Sequence, residues 1–181
     1  MRYRRSTAAG ASYFFTLVTY RRQPLLGEAG AVGIFERALR SVQSRRPFTL
    51  EAQVVMPDHL HAIWTLPDGD CDYATRWRLI KEAFTRAYGE THRLPARDMT
   101  RRARGEQAVW QRRYWEHLIR DERDFSAHLD HIHYNPARHG FVAAPRDWSH
   151  STFSDWVLLG TYEANWGSDE MPKLPDWAGR E

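Results

Sequence analysis

The chain has 181 residues, enough for one domain with a buried core, and is 42% hydrophobic and 27% charged with no low-complexity tract. No apolar run approaches the roughly 20 residues that span a bilayer, which argues against a membrane protein. The net charge of +3 is uneven: the last 19 residues, from Glu163, hold five acids and two bases, so residues 1–162 carry +6. Lys81 and Lys173 are the only lysines, and the many arginines offer planar forks that match phosphates and stack on bases. One cysteine, Cys71, excludes an internal disulfide framework and fits a reducing compartment. The basic N-terminus is not followed by an apolar signal-type segment, so a cytoplasmic location is expected.

Residues 12–19 are rich in aromatic and β-branched side chains and predict a first strand. Val32, Phe35, Leu39 and Val42 recur at helical spacing over 32–44. Phe48 to Met56 reads as a second strand, Pro57-Asp58 as a turn and His59 to Leu66 as a third strand, together a hairpin. Asp72 is placed to cap a helix over about 73–88, with Trp77, Ile80, Phe84 and Tyr88 on one face. Residues 93–113 hold seven arginines and few apolar residues before Trp110, and read as a basic loop. Tyr114 to Ile119 predicts a fourth strand. Asp121 or Asp124 is placed to cap a helix over about 125–134, perturbed by Pro136 and stopped by Gly140. From Pro145 onward the chain reads as irregular. The order β-α-β-β-α-(β)-α predicts an α+β fold, an antiparallel sheet with helices packed on it, of the split βαβ kind. Residues 1–162 are expected to form the domain and 163–181 an acidic tail.

Two groups of residues carry chemistry. On a strand, alternation sends His59 and His61 to one face and Leu60 to the other. A pair of imidazoles begins a metal site, which normally needs a third ligand; the bland reading is two polar residues on a solvated face. The second group is Asp130-His131-Ile132-His133-Tyr134-Asn135-Pro136-Ala137-Arg138-His139-Gly140. A tyrosine on a helix facing a sheet is most often a core or interface residue.

Met56-Pro57-Asp58-His59-Leu60-His61, followed by His133-Tyr134-Asn135-Pro136, resembles the REP-associated tyrosine transposases of the HUH single-tyrosine group. Tyr13-Phe14-Phe15-Thr16, Trp110 to His117, His128 to Gly140 and Trp148 with its following serines extend the likeness over about residues 1–166. The resemblance implies an HUH endonuclease fold (ferredoxin- or RRM-like). It also implies a metal, Mg²⁺ or Mn²⁺, on His59 and His61, and Tyr134 as a nucleophile that leaves a 5′-phosphotyrosine bond on cleaved single-stranded DNA. Small relatives supply a third ligand four residues after the nucleophile. Here that position is Arg138, which cannot ligate. His139 is the next candidate if Pro136 shifts the helical register; His131, water or another residue are the alternatives.

The substrate implied is a REP-type DNA hairpin beside a single strand, which calls for a basic surface along the duplex. Arg2, Arg4 and Arg5 are candidates for a basic arm. Arg101, Arg102, Arg104, Arg112 and Arg113 are candidates for the main surface, against a bland reading as a solvated arginine loop. Two other functions stay open: a domesticated REP-hairpin-binding protein without useful cleavage, and a metal-dependent phosphodiesterase in which Tyr134 is structural. Oligomeric state is not legible.

Overall fold

A computed structural model describes residues 8–168 and 170–175. Strands β1 (Ser12–Val18), β2 (Thr49–Val55), β3 (His59–Thr65) and β4 (Trp115–Leu118) pair into one antiparallel sheet in the order β2-β3-β1-β4. Helices α1 (Ala31–Arg45), α2 (Tyr73–Thr91), α3 (Met99–Ala103), α4 (Glu122–Arg138) and α5 (Phe153–Leu158) complete the described elements. With β3 inserted between β1 and β2, this is the expected split βαβ arrangement in the α+β class.

Both faces of the sheet are covered, because alternate residues of the central strands belong to separate cores. Tyr13, Phe15 and Leu17 of β1 and Leu60, Ala62 and Trp64 of β3 pack under α1 and α2. There the Trp64 ring is stacked between Phe48 at 4.0 Å and Trp77 at 3.9 Å. Truncating so large a buried aromatic typically costs about 3–5 kcal/mol. Phe14, Ala52, Val54 and Ile63 point the other way and meet Leu129 and Ile132 of α4 and Phe153 of α5. This second layer places α4 directly over His59 and His61.

Capping fixes where the helices begin. Asp72 accepts from the Thr75 N–H at the start of α2, as its position in the sequence implies. Asp121 does the same for Asp124 at the start of α4. Helix α4 is longer than expected: it starts at Glu122 and continues through Pro136 to Arg138. The His139 N–H still reaches the Asn135 carbonyl at 3.0 Å, so the register is unshifted by the proline.

Two segments expected to be irregular are not. The basic loop contains α3, capped by Asp98, whose carboxylate accepts from the Arg101 N–H at 2.8 Å. Beyond Pro145 the chain runs along the free edge of β2, where His150 accepts from the Val55 N–H and Thr152 bonds Gln53 in both directions, before forming α5. The indoles of Trp148 and Trp156 donate to the Val55 and Glu51 carbonyls of the same strand. An edge strand with unpaired backbone groups is thereby satisfied. Among the described residues no helix is long and apolar enough to cross a membrane.

Candidate active site

The Pro57-Asp58 turn delivers β3 with both histidines facing α4. His59 and His61 are 2% and 0% exposed, so they lie beneath a helix and not on a solvated face. Each ring is anchored through Nδ1. His59 Nδ1 donates to Asp58 Oδ1 at 2.6 Å, and His61 Nδ1 pairs with Thr16 Oγ1 at 2.9 Å across the β1–β3 register. Burial works to raise the Asp58 carboxyl, but hydrogen bonds from His59 and Arg22 outweigh it and hold the group below its ordinary value. Arg22 reaches Asp58 Oδ2 at 3.0 Å from a turn in which Arg21 and Arg22 take φ of 56° and 51°. Two successive non-glycine residues in the left-handed region are strained, and strain of this kind gathers at functional sites.

Anchoring both Nδ1 atoms fixes ring orientation, the usual outer-shell arrangement of metal-ligating histidines. The ring centroids are 5.0 Å apart. His59 Nε2 lies 3.2 Å from Asn135 Oδ1 on α4. With Nδ1 donating to Asp58, a neutral His59 turns its Nε2 lone pair toward that amide oxygen. A cation between the two acceptors makes the approach favourable. The donor set of two imidazoles and an amide oxygen therefore fits a divalent cation.

The expected third ligand, His139, sits at the C-terminal cap of α4 with its ring centroid 5.3 Å from His59. Among the described residues, the three His, Cys, Asp or Glu ligand atoms that gather within 4.8 Å of one another belong to His117, Asp124 and His128, not to His59, His61 and His139. The reason is the unbroken register of α4, which leaves His139 exposed past the helix end. His131 is closer to His61, with ring centroids 4.8 Å apart, and Arg138 Nη1 is 3.5 Å from His131 Nδ1. Asn135, Asp58 and Thr16 were missed as site residues. The signal for two of them lay in the sequence, since Asp58 immediately precedes the histidine pair and Asn135 immediately follows Tyr134.

Tyr134 is half-buried on α4, on the flank of the stripe that carries His131 and Asn135. Its ring meets Trp166 edge-on at 6.1 Å and the backbone at Gly167, where a Cβ would stand 3.1 Å from the Tyr134 ring. Gly167 also has φ 72°, so a side chain there is strained twice over. Trp166 in turn packs on Tyr162 at 4.5 Å and Phe153 at 6.1 Å. The first residues of the acidic segment thus lie against the helix that bears Tyr134.

The candidate DNA arginines divide. Arg101 is 7% exposed, donates to the Gln107 and Trp110 carbonyls and lies 3.9 Å over the Tyr20 ring. It ties α3 to the segment that follows, with its guanidinium turned into the protein. Arg102, Arg104, Arg112 and Arg113 are exposed, and Arg112 pairs with Glu106 at 2.7 Å. Arg2, Arg4 and Arg5 lie outside the described residues.

A split βαβ sheet presenting a buried His-x-His pair to a tyrosine-bearing helix is the HUH arrangement, which defines a class of DNA-processing proteins. Comparison makes the assignment narrower. The chain is 39% identical over 168 residues to the REP-associated tyrosine transposase of Escherichia coli K12, covering 92% of this chain and 91% of that protein. It is 38% identical over 173 residues to a protein of Haemophilus influenzae Rd described as a putative REP-associated tyrosine transposase, covering 95% and 96% of the two chains. A REP-associated tyrosine transposase solved bound to a REP hairpin superposes with a TM-score of 0.81 at 37% identity, covering 100% of this chain and 98% of the other. No family model matches the sequence. The chain belongs to the REP-associated tyrosine transposases.

Proposed function

We propose that this protein cleaves and rejoins single-stranded DNA beside a REP-type hairpin, with Tyr134 as nucleophile. The observation that carries the reading is the anchored pair His59 and His61, held at Nδ1 by Asp58 and Thr16 beneath the helix that bears Tyr134. His59 and His61, with the Asn135 amide oxygen, would hold Mg²⁺ or Mn²⁺; His139 is the more distant alternative. Such a cation, when bound, neutralises and orients the scissile phosphate. The chain's own part is positional. Asp58 and Thr16 fix the two imidazoles, and α4, which lies over them, bears Tyr134.

In the reaction the Tyr134 oxygen attacks phosphorus and its proton passes to solvent. The bond from phosphorus to the 3′ oxygen breaks, the leaving strand takes up a proton as a 3′-hydroxyl, and the 5′-phosphate stays on tyrosine. Rejoining runs the same exchange backwards, so no nucleotide triphosphate is consumed. For the hairpin, the exposed Arg102, Arg104, Arg112 and Arg113 supply the phosphate-facing surface, with Arg2, Arg4 and Arg5 as a further arm. A chromosomal DNA substrate of this kind supports a cytoplasmic location.

One observation favours a second reading, a REP-hairpin-binding protein without useful cleavage: Trp166 and Gly167 pack on the Tyr134 ring. Incubation with a REP hairpin carrying a single-stranded flank and Mn²⁺, run on a denaturing gel, separates the readings. A covalent protein–DNA adduct supports the transferase. Shifted but intact DNA supports the binding protein, and cleavage without an adduct makes Tyr134 structural.

A further inference from the structure

We propose that His117, Asp124 and His128 form a second metal site, suited to a transition-metal cation such as Zn²⁺, that clips the edge strand β4 to α4. His117 lies on β4 and faces α4. Asp124 and His128 are one turn apart on α4, and residues at this spacing share a helix face. The three ligand atoms lie within 4.8 Å of one another. His117 Nε2 is 2.9 Å from Asp124 Oδ2 and 3.1 Å from Oδ1, and His128 Nδ1 is 3.1 Å from Oδ1. The two imidazoles stack at 4.6 Å with 21° between their planes.

These separations are those of a site close to its bound form. Zinc–ligand bonds of about 2.0–2.1 Å in a tetrahedron set neighbouring ligand atoms roughly 3.3 Å apart. The two histidine–carboxylate separations are within a few tenths of an ångström of that value, and the two histidine nitrogens, within 4.8 Å of one another, settle to it by small ring movements. Two nitrogens and one carboxylate oxygen are a borderline-soft set that selects Zn²⁺ over Mg²⁺ or Ca²⁺. Asp124 and the His128 side chain are 1% and 2% exposed, whereas the His117 side chain is 25% exposed, which gives the cation an entry path and room for a water as fourth ligand.

Two features oppose binding, and both can yield. His128 Nδ1 now donates to the Asp124 carbonyl at 2.9 Å. Ligation through Nδ1 exchanges that tautomer for the Nε2–H form. The Arg120 guanidinium donates to Asp124 Oδ2 at 2.9 Å, and its charge repels a cation. Its side chain is 63% exposed, so water can solvate the guanidinium when a cation displaces it, while the Arg120 backbone N–H, 3.0 Å from the same oxygen, still orients the carboxylate. The site is separate from His59 and His61: the Phe14 ring stands between them, 4.6 Å from His128 and 5.4 Å from His61. Its consequence would be mechanical. β4 has four residues and, among the described residues, pairs with β1 alone, and a metal would brace it to the helix that carries Tyr134 six residues beyond His128.

The test is to strip the full-length protein with chelator and titrate it with Zn²⁺ against a chromophoric competitor, then with Co²⁺ while recording its visible absorption. His117→Gln is the first variant, because the side chain is partly exposed and its loss disturbs the packing less than loss of the buried His128. Asp124→Asn, which keeps the hydrogen-bond shape, is the second. Melting of each metal-free variant checks that it is folded. The expected result is that wild type binds one more equivalent of Zn²⁺ than either variant, shows a tetrahedral Co²⁺ spectrum that both lose, and melts several degrees higher with Zn²⁺. Equal stoichiometry and spectra in wild type and both variants, or no Zn²⁺ bound by wild type, would overturn the proposal and leave the trio an ion-pair network.

Discussion

His59 is bonded at both ring nitrogens, to Asp58 at 2.6 Å and to Asn135 at 3.2 Å, and this decides what the neighbouring residues do. Removing Asp58 frees the ring to rotate and to change tautomer, while the DNA surface is untouched. Asp58→Ala should therefore lower cleavage about 10–100-fold, the usual cost of losing an outer-shell partner, with hairpin affinity unchanged in a gel-shift assay. Equal losses of binding and cleavage would show Asp58 to be a framework residue. Arg101 and Arg102 make the opposite contrast. Arg101→Ala strands two carbonyls that its guanidinium now satisfies and should cost about 2–4 kcal/mol in a denaturant melt. Arg102→Ala, on an exposed side chain, should stay within about 0.5 kcal/mol. Sequence alone ranks these adjacent arginines alike. Their difference comes from α3, whose turn points residue 101 at Tyr20 and Trp110 and residue 102 at solvent.

Among the elements, the strands were legible because both β1 and β3 announce themselves by aromatic and β-branched density, and the histidine pair falls on β3 with the alternation that a strand requires. The two helices over the first face were legible from apolar spacing. Helix α4 was harder. Pro136 reads as a perturbation near the helix end, yet the helix passes through it to Arg138, because proline forfeits one hydrogen bond while the buried stripe of Leu129, Ile132 and Asn135 holds the helix on the sheet. Helix α5 and the strip before it were not legible, since their bonds go to the backbone of β2, some hundred residues earlier in the chain. This same junction buries His133, with Nε2 on Thr152 Oγ1 at 3.0 Å. Burial takes its pKa down to about 3. The folded state thus keeps His133 neutral, whereas the unfolded chain takes up a proton below about 6.5. Stability is retained above that pH and lost on acidification toward pH 3, at up to about 1.4 kcal/mol per pH unit from this group. Urea melts at pH 7 and pH 5 should differ by about 2 kcal/mol more in wild type than in His133→Gln. Identical differences in the two proteins would mean that His133 does not stay neutral.

At the scale of the whole molecule, charge and catalysis are separable. If Arg102, Arg104 and Arg113 face the hairpin's phosphates, neutralising all three should weaken binding and reduce the slope of log K against log salt by about 2–3, at roughly 0.7–0.9 per lost contact. Preference for a REP hairpin over a scrambled one should change little, because phosphate contacts position the protein and base contacts specify the site. An unchanged slope would move the DNA surface elsewhere on the chain. The central claim, that Tyr134 takes the DNA strand covalently, is tested most directly by finding the atom that holds it. The protein is incubated with flanked REP hairpin and Mn²⁺, the adduct is digested with nuclease and trypsin, and the peptides are analysed by mass spectrometry. Cleavage after Arg123 and Arg138 releases residues 124–138, a peptide whose one tyrosine is Tyr134. The account predicts a 5′-linked nucleotide on that residue, absent from Tyr134→Phe. DNA cleaved with peptide 124–138 unmodified, or a nucleotide attached to another tyrosine, would contradict it.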